Sequence, residues 1–157
     1  MASGIRELRV WQESVSLAGD VVRALRQGCR RETKCVSDAV MTTALAVGSH
    51  VADGYACPTS EEQRDSYFGA KRALLRLETE LAVARHAELI PAGVFSELTA
   101  RSGQVSRLIT GYIAFLDRQI ADDAARASSP PVSSPPPAPR KTPPPLNPLP
   151  DSARAPG

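Results

Sequence analysis

Aromatic side chains are scarce in this sequence, 4% of 157 residues, although hydrophobic residues as a whole reach 42%. A core must therefore be assembled from Leu, Val, Ile and Ala, the usual stock of helix bundles, and the length allows one domain with a modest core. Cysteine is thin as well. Cys29, Cys35 and Cys57 form an odd set without a C-x-x-C spacing. No apolar leader accompanies the early charges Arg6, Glu7 and Arg9, so reduced thiols and a cytoplasmic location are expected. No run approaches the roughly 18 apolar residues of a membrane helix, and no membrane partner is expected. The first 126 residues also lack net charge, with 16 Lys+Arg against 16 Asp+Glu. Arg140, Lys141 and Arg154 against Asp151 supply the whole formal +2. A neutral body is no generic polyanion binder. Any nucleic-acid surface must come from local patches or from assembly.

Catalytic machinery is missing too. There is no phosphate loop, no Gly-rich dinucleotide turn, no H-E-x-x-H and no nucleophile elbow. The Glu-x-x-His pairs of di-iron bundles are absent, since Val47 and Val83 stand three residues before His50 and His86. His50, Asp53 and Cys57 are the one conceivable metal set. Three ligands on both sides of a turn fall short of a closed zinc site, and a helix-end histidine bonded to a carboxylate is the simpler reading. We expect no enzyme activity, no cofactor and no metal.

Proline is almost withheld from the first part of the chain. Only Pro58 and Pro91 precede residue 127, and twelve of the 14 prolines follow it. This predicts a helical domain over 1–126 and a disordered Pro-rich tail over 127–157. Within the tail, Pro136-Pro137-Ala138-Pro139-Arg140-Lys141 resembles a ligand for a proline-binding groove. A solvated tail is the competing reading.

Four apolar stripes with alternating three- and four-residue steps predict four helices. The first covers 5–26, with a seam of Leu8, Trp11, Val15, Ala18, Val22 and Leu25, and Gly28 as its terminator. A polar loop over 28–34 leads to the second, over 36–53, striped by Val36, Val40, Thr43, Val47 and Val51 and ended by Gly54. Its many small side chains mark it as a tightly packed inner helix. Thr59-Ser60-Glu61-Glu62 forms a capping box for the third, over 60–87, striped by Tyr67, Ala70, Leu74, Leu77, Leu81 and Ala84. Pro91 opens the fourth, over 92–124, striped by Leu98, Ser102, Val105, Ile109, Tyr112 and Leu116. Short connections between long helices predict an all-α, up-down-up-down four-helix bundle.

The strongest electrostatic feature is the cluster Arg26, Arg30, Arg31 and Lys34 around the first loop, broken by Glu32. It is the candidate phosphate-gripping surface. A solvated loop that complements the end of the first helix dipole is the alternative. Lys71, Arg72 and Arg76 form a second, weaker strip with Glu78 and Glu80 nearby. No aromatic residues interleave with either, so base stacking is not supported.

Three short segments carry a family resemblance in their order. Ile5-Arg6-Glu7-Leu8-Arg9-Val10-Trp11-Gln12 resembles the opening of the four-helix-bundle family called 23S rRNA intervening sequence protein. Val51-Ala52-Asp53-Gly54-Tyr55 is similar to its Ile-Ala-Glu-Gly-Tyr signature, and Leu77-Glu78-Thr79-Glu80-Leu81 to its Leu-Glu-Thr-Gln-Leu segment. The sequence departs from the family pattern at His50, where Asn is usual, at Gly48, where Pro is frequent, and at Met41 and Thr42, where a basic pair is common. The resemblance implies a ring-like homopentamer. It also implies kinship with the accessory protein of diversity-generating retroelements, whose partners are nucleic acid and a reverse transcriptase. The expected partners are therefore further copies of this chain, RNA or DNA, and a reverse transcriptase. The rival expectation is a scaffold that recruits a protein through its tail.

Overall fold

The computed structural model describes residues 4–28 and 30–128. After a single 3-10 turn, Ile5–Glu7, come α1 (Arg9–Gly28), a second 3-10 turn (Arg31–Thr33), α2 (Lys34–Ala56), α3 (Ser60–His86) and α4 (Ala92–Ser128). No strand occurs among the described residues. Each helix packs on its neighbours in sequence, and α1 closes against α4, so α1 and α3 stand diagonally across the bundle. The α2–α3 pair is the most extensive and the α1–α4 pair the least. This is the expected up-down-up-down bundle. The tail expected to be disordered lies outside the described residues, apart from the last turn of α4.

The α2–α3 pair is close because each helix offers a glycine to a ring of the other. A Cβ on Gly54 would lie 3.0 Å from Cε2 of Tyr67, and a Cβ on Gly69 would lie 2.9 Å from Nδ1 of His50. Gly54 therefore does not terminate α2, as the sequence suggested. The helix runs through it to Ala56, without a positive φ, and Cys57 N donates to Gly54 O at 3.2 Å as the cap. Gly28 is corrected in the same way. It is the last residue of α1, has no positive φ, and a Cβ there would fall 2.3 Å from the carbonyl oxygen of Leu89. Both glycines answer long-range packing rather than a left-handed cap.

The real left-handed residue is Glu88, at φ 58. Leu89 N donates to Ala84 O at 2.9 Å and Glu88 N to Arg85 O at 3.1 Å. These are the two bonds of a Schellman ending, with Glu where glycine is usual. At the other end of α3, Thr59 Oγ1 accepts from Glu62 N at 3.3 Å, and Glu61 and Glu62 sit in the positive first turn. Pro91 directly precedes α4, and its carbonyl accepts from Phe95 N at 3.0 Å.

The stripes of α3 and α4 are buried as expected, with Tyr112 and a few flanking positions at the edge. α1 differs. Its core face is Val10, Ser14, Leu17, Ala18, Val21 and Leu25, whereas Val15 is 46% exposed and Leu8, Trp11 and Val22 are half-buried. α1 is apolar on two faces, and the expected seam mostly follows the outer one. In α2, Val40, Val47 and Val51 are fully buried. Within Arg31–Ala56, one 18-residue window reaches a mean hydropathy of 1.2, the threshold that length and composition set for a membrane-crossing helix. That qualifies the expectation that no such stretch exists; in this fold its valines face the bundle interior.

Polar ties lock the outer pairs. Arg101 of α4 reaches Asp20 and Glu13 of α1 and donates to Ser16 Oγ at 2.8 Å. Ser102 Oγ donates to Glu78 Oε1 at 2.8 Å, and Arg64 pairs with Asp117 at 3.2 Å, joining α3 to α4. The close α2–α3 contact yields the sharper prediction. Gly54→Ala should lower unfolding free energy by about 1–3 kcal/mol, because buried Tyr67 cannot give way. Gly111→Ala, which meets nothing within 4 Å, should raise it by about 0.5–1 kcal/mol. Chemical denaturation of both variants checks the contrast, and a stabilised Gly54→Ala would contradict the packing described.

Candidate nucleic-acid interface

The basic cluster sits at the α1–α2 end of the bundle. Arg26 lies in the last turn of α1, where a cation complements the helix dipole. Arg30 is extended, and its N–H donates to Thr33 Oγ1 at 3.3 Å while that hydroxyl donates back to Arg30 O at 3.3 Å. This small loop holds the 3-10 turn that carries Arg31. Lys34 opens α2 and pairs with Asp38 at 2.6 Å. All four side chains are exposed. No carboxylate among the described residues lies within 4.0 Å of the Arg26, Arg30 or Arg31 guanidinium. The loop between α3 and α4 lies at the same end, where Gln27 and Gly28 share a hollow with Arg85, Glu88 and Leu89.

The second strip is placed quite differently. Arg72 and Arg76 line a groove of about 420 Å³ between α2 and α3, together with Thr42, Thr43 and His50. Its floor is made of small residues, Ala39, Ala46, Gly69 and Ala73. Thr42, Ala46 and His50 recur every four residues on α2, so they share a face. No sequence stripe announced this groove, because half of it belongs to each helix. The paired small residues on α2 and α3 were the only available hint.

His50, Asp53 and Cys57 do not converge. His50 turns toward Gly69, whereas the Cys57 thiol donates to the Asp53 carbonyl at 3.2 Å and lies 3.7 Å from Ser66 Oγ. Among the described residues, no group of three or more His, Cys, Asp or Glu side chains could hold a metal ion. His86 is exposed at the end of α3.

The family model for 23S rRNA-intervening sequence protein matches residues 6–111. The chain belongs to the 23S rRNA-intervening sequence protein family. That match begins in the first 3-10 turn and ends within α4, so the matched span covers both the basic loop and the α2–α3 groove. No curated protein matches the chain significantly. Within this family member, the Val51–Tyr55 signature gains a physical meaning, since its glycine is the seat of Tyr67.

Tyr67 is fully buried and stacks on Tyr112 with ring centroids 4.8 Å apart. Tyr112 in turn meets Phe115 edge-on at 5.9 Å. Burial, and secondarily the neighbouring Tyr112, push the Tyr67 phenol far above its ordinary value of 10.0. The folded state therefore favours the neutral phenol. Its contribution to stability is fully present below about pH 10, the unfolded value, and is lost as pH rises beyond it. Denaturant midpoints measured from pH 8 to 11 should fall at the alkaline end. Tyr67→Phe should flatten that fall relative to wild type, and an equally steep fall in the variant would contradict this account.

Proposed function

We propose that the chain is a non-enzymatic, cytoplasmic interaction module. It assembles as a ring of identical copies, a pentamer by family expectation, and binds RNA or DNA weakly through Arg26, Arg30, Arg31 and Lys34. The observation that carries the assembly is the placement of its uncovered apolar surface. One patch is a groove of about 500 Å³ between α1 and α2, lined by Trp11, Val15, Val22, Leu45 and Gly48, with Leu45 58% exposed. The other is on α3, where Phe68 and Leu75 stand two turns apart and are 41% and 61% exposed. A seven-residue spacing puts them on one face. Two different faces joined head to tail make a heterologous contact, which generates a ring when the rotation between copies closes and a filament when it does not.

Assembly is what would make the basic loop useful. One loop is a feeble phosphate ligand on a neutral body. Several copies around one axis raise the effective concentration of the next contact. The rival reading, a scaffold that recruits a protein such as a reverse transcriptase, leans on the family and on tail residues outside the described ones.

One experiment tests both parts. Sedimentation should show wild type as an oligomer and Leu45→Glu as a folded monomer. Both are then titrated, with Arg30→Ala/Arg31→Ala, against a single-stranded RNA at two salt concentrations. Wild type should bind more weakly at high salt. The arginine variant should lose affinity, and its log–log salt slope should shrink by about 0.7 for each phosphate contact removed. The Leu45→Glu monomer should also bind less well. Unmeasurable binding at low salt, or binding indifferent to the arginines, contradicts the proposal.

A further inference from the structure

The α2–α3 groove has a chemistry that the basic loop lacks. Its lining includes two guanidinium groups, an imidazole and two hydroxyls, and no carboxylate. At about 420 Å³ it falls in the size range of small-ligand sites. Thr42 and His50 are eight residues apart, so the trough extends about 12 Å along α2.

The donors are not all committed elsewhere. Arg76 gives its Nε to Glu80 Oε1 at 2.7 Å, which leaves the other N–H groups of its five-donor fork. Arg72 has no carboxylate within 4.0 Å among the described residues. Glu80 therefore offsets Arg76, and Arg72 is the cation that remains. Gly69 allows the imidazole of His50 to lie against α3, where any Cβ would meet it at 2.9 Å. Thr42 donates its hydroxyl proton to the Asp38 carbonyl at 2.8 Å and must exchange that bond to donate to a phosphate oxygen. Planar guanidinium donors suit the oxygens of a phosphate, and hydroxyl and imidazole groups can complete the set. An uncharged ligand would leave Arg72 without a matching anion, and a cation would meet it with like charge.

We propose that the groove formed by Thr42, Thr43 and His50 of α2 and by Arg72 and Arg76 of α3 is a phosphate-binding site. Its ligand is a phosphate group, supplied by a free nucleotide or by a nucleic-acid backbone. The site does not depend on the nucleic-acid reading given above, because it uses none of the loop residues. It also gives His50, the departure from the family's usual Asn, a place in the chemistry of the chain.

The test uses the full chain labelled with nitrogen-15 and three probes: inorganic phosphate, adenosine monophosphate and a short single-stranded RNA. At least one should shift the amide signals of Ala46, Gly69 and Ala73 and the imidazole of His50. Arg72→Gln, on an exposed side chain, should leave the rest of the spectrum intact and weaken that binding about tenfold or more. Shifts with all three probes identify the phosphate group alone as the ligand. Shifts with the nucleotide but not phosphate identify a nucleotide, and shifts with RNA only identify a backbone phosphate. Each of these supports the site. Groove signals that stay still with every probe at millimolar concentration, or that respond equally in Arg72→Gln, overturn it. Arg30→Ala/Arg31→Ala separates the two proposals, since it should leave the groove response to adenosine monophosphate unchanged.

Discussion

The close contact between α2 and α3 is the constraint on which the rest of this bundle depends. Two rings lie where a side chain on the opposite helix would otherwise stand, Tyr67 against Gly54 and His50 against Gly69. Neither glycine is there for backbone freedom. Each removes a Cβ so that the helices approach, and the approach then buries the valines of α2 against the leucines of α3. These are side chains with little area individually, so the density of packing must replace the bulk that aromatic residues would bring. The short Cys57–Thr59 connection and the Thr59 cap hold the two helices antiparallel. α1 and α4 complete the square with looser pairing, reinforced by Arg101 and by the Ser102–Glu78 bond.

The same contact shapes the surface. Above the seam, where residues are small, the helices leave a trough instead of a ridge. Arginines from α3 and hydroxyls from α2 stand along it. Beside α1, the apolar stripe that the core does not use forms a second groove, with Gly48 and Ala52 again providing depth. Small residues on α2 thus create both a polar trough on one side and an apolar one on the other. A charge-neutral body with such surfaces favours recognition at defined places over general attraction to polyanions.

Much of this was legible in the residues. The stripes of α3 and α4 read correctly because their buried positions keep the three-four stepping, with Phe68, Leu75 and Phe115 standing outside it. The Thr59 cap was legible because hydroxyl capping is a local matter. α1 misled because Val10, Leu17 and Val21 compete with Trp11, Val15 and Val22, and periodicity alone does not say which stripe faces inward. Gly28 and Gly54 misled for a related reason. A glycine shortly before a break looks like a helix stop, and only the fold reveals Leu89 and Tyr67 opposite them. For the candidate sites, the Arg26–Lys34 cluster is contiguous in sequence and could be found there. The trough could not, since Thr42 and Arg76 become neighbours only through the packing of two helices.

The central claim is that the α2–α3 seam is the most stable unit of the molecule and carries its outer helices. Native-state hydrogen exchange tests it most directly, because protection reports local opening free energies residue by residue. The account predicts that the slowest amides lie within residues 43–51 of α2 and 70–81 of α3, with α1 and α4 opening earlier. Slowest exchange in α1 or α4, with the seam opening before them, would contradict it.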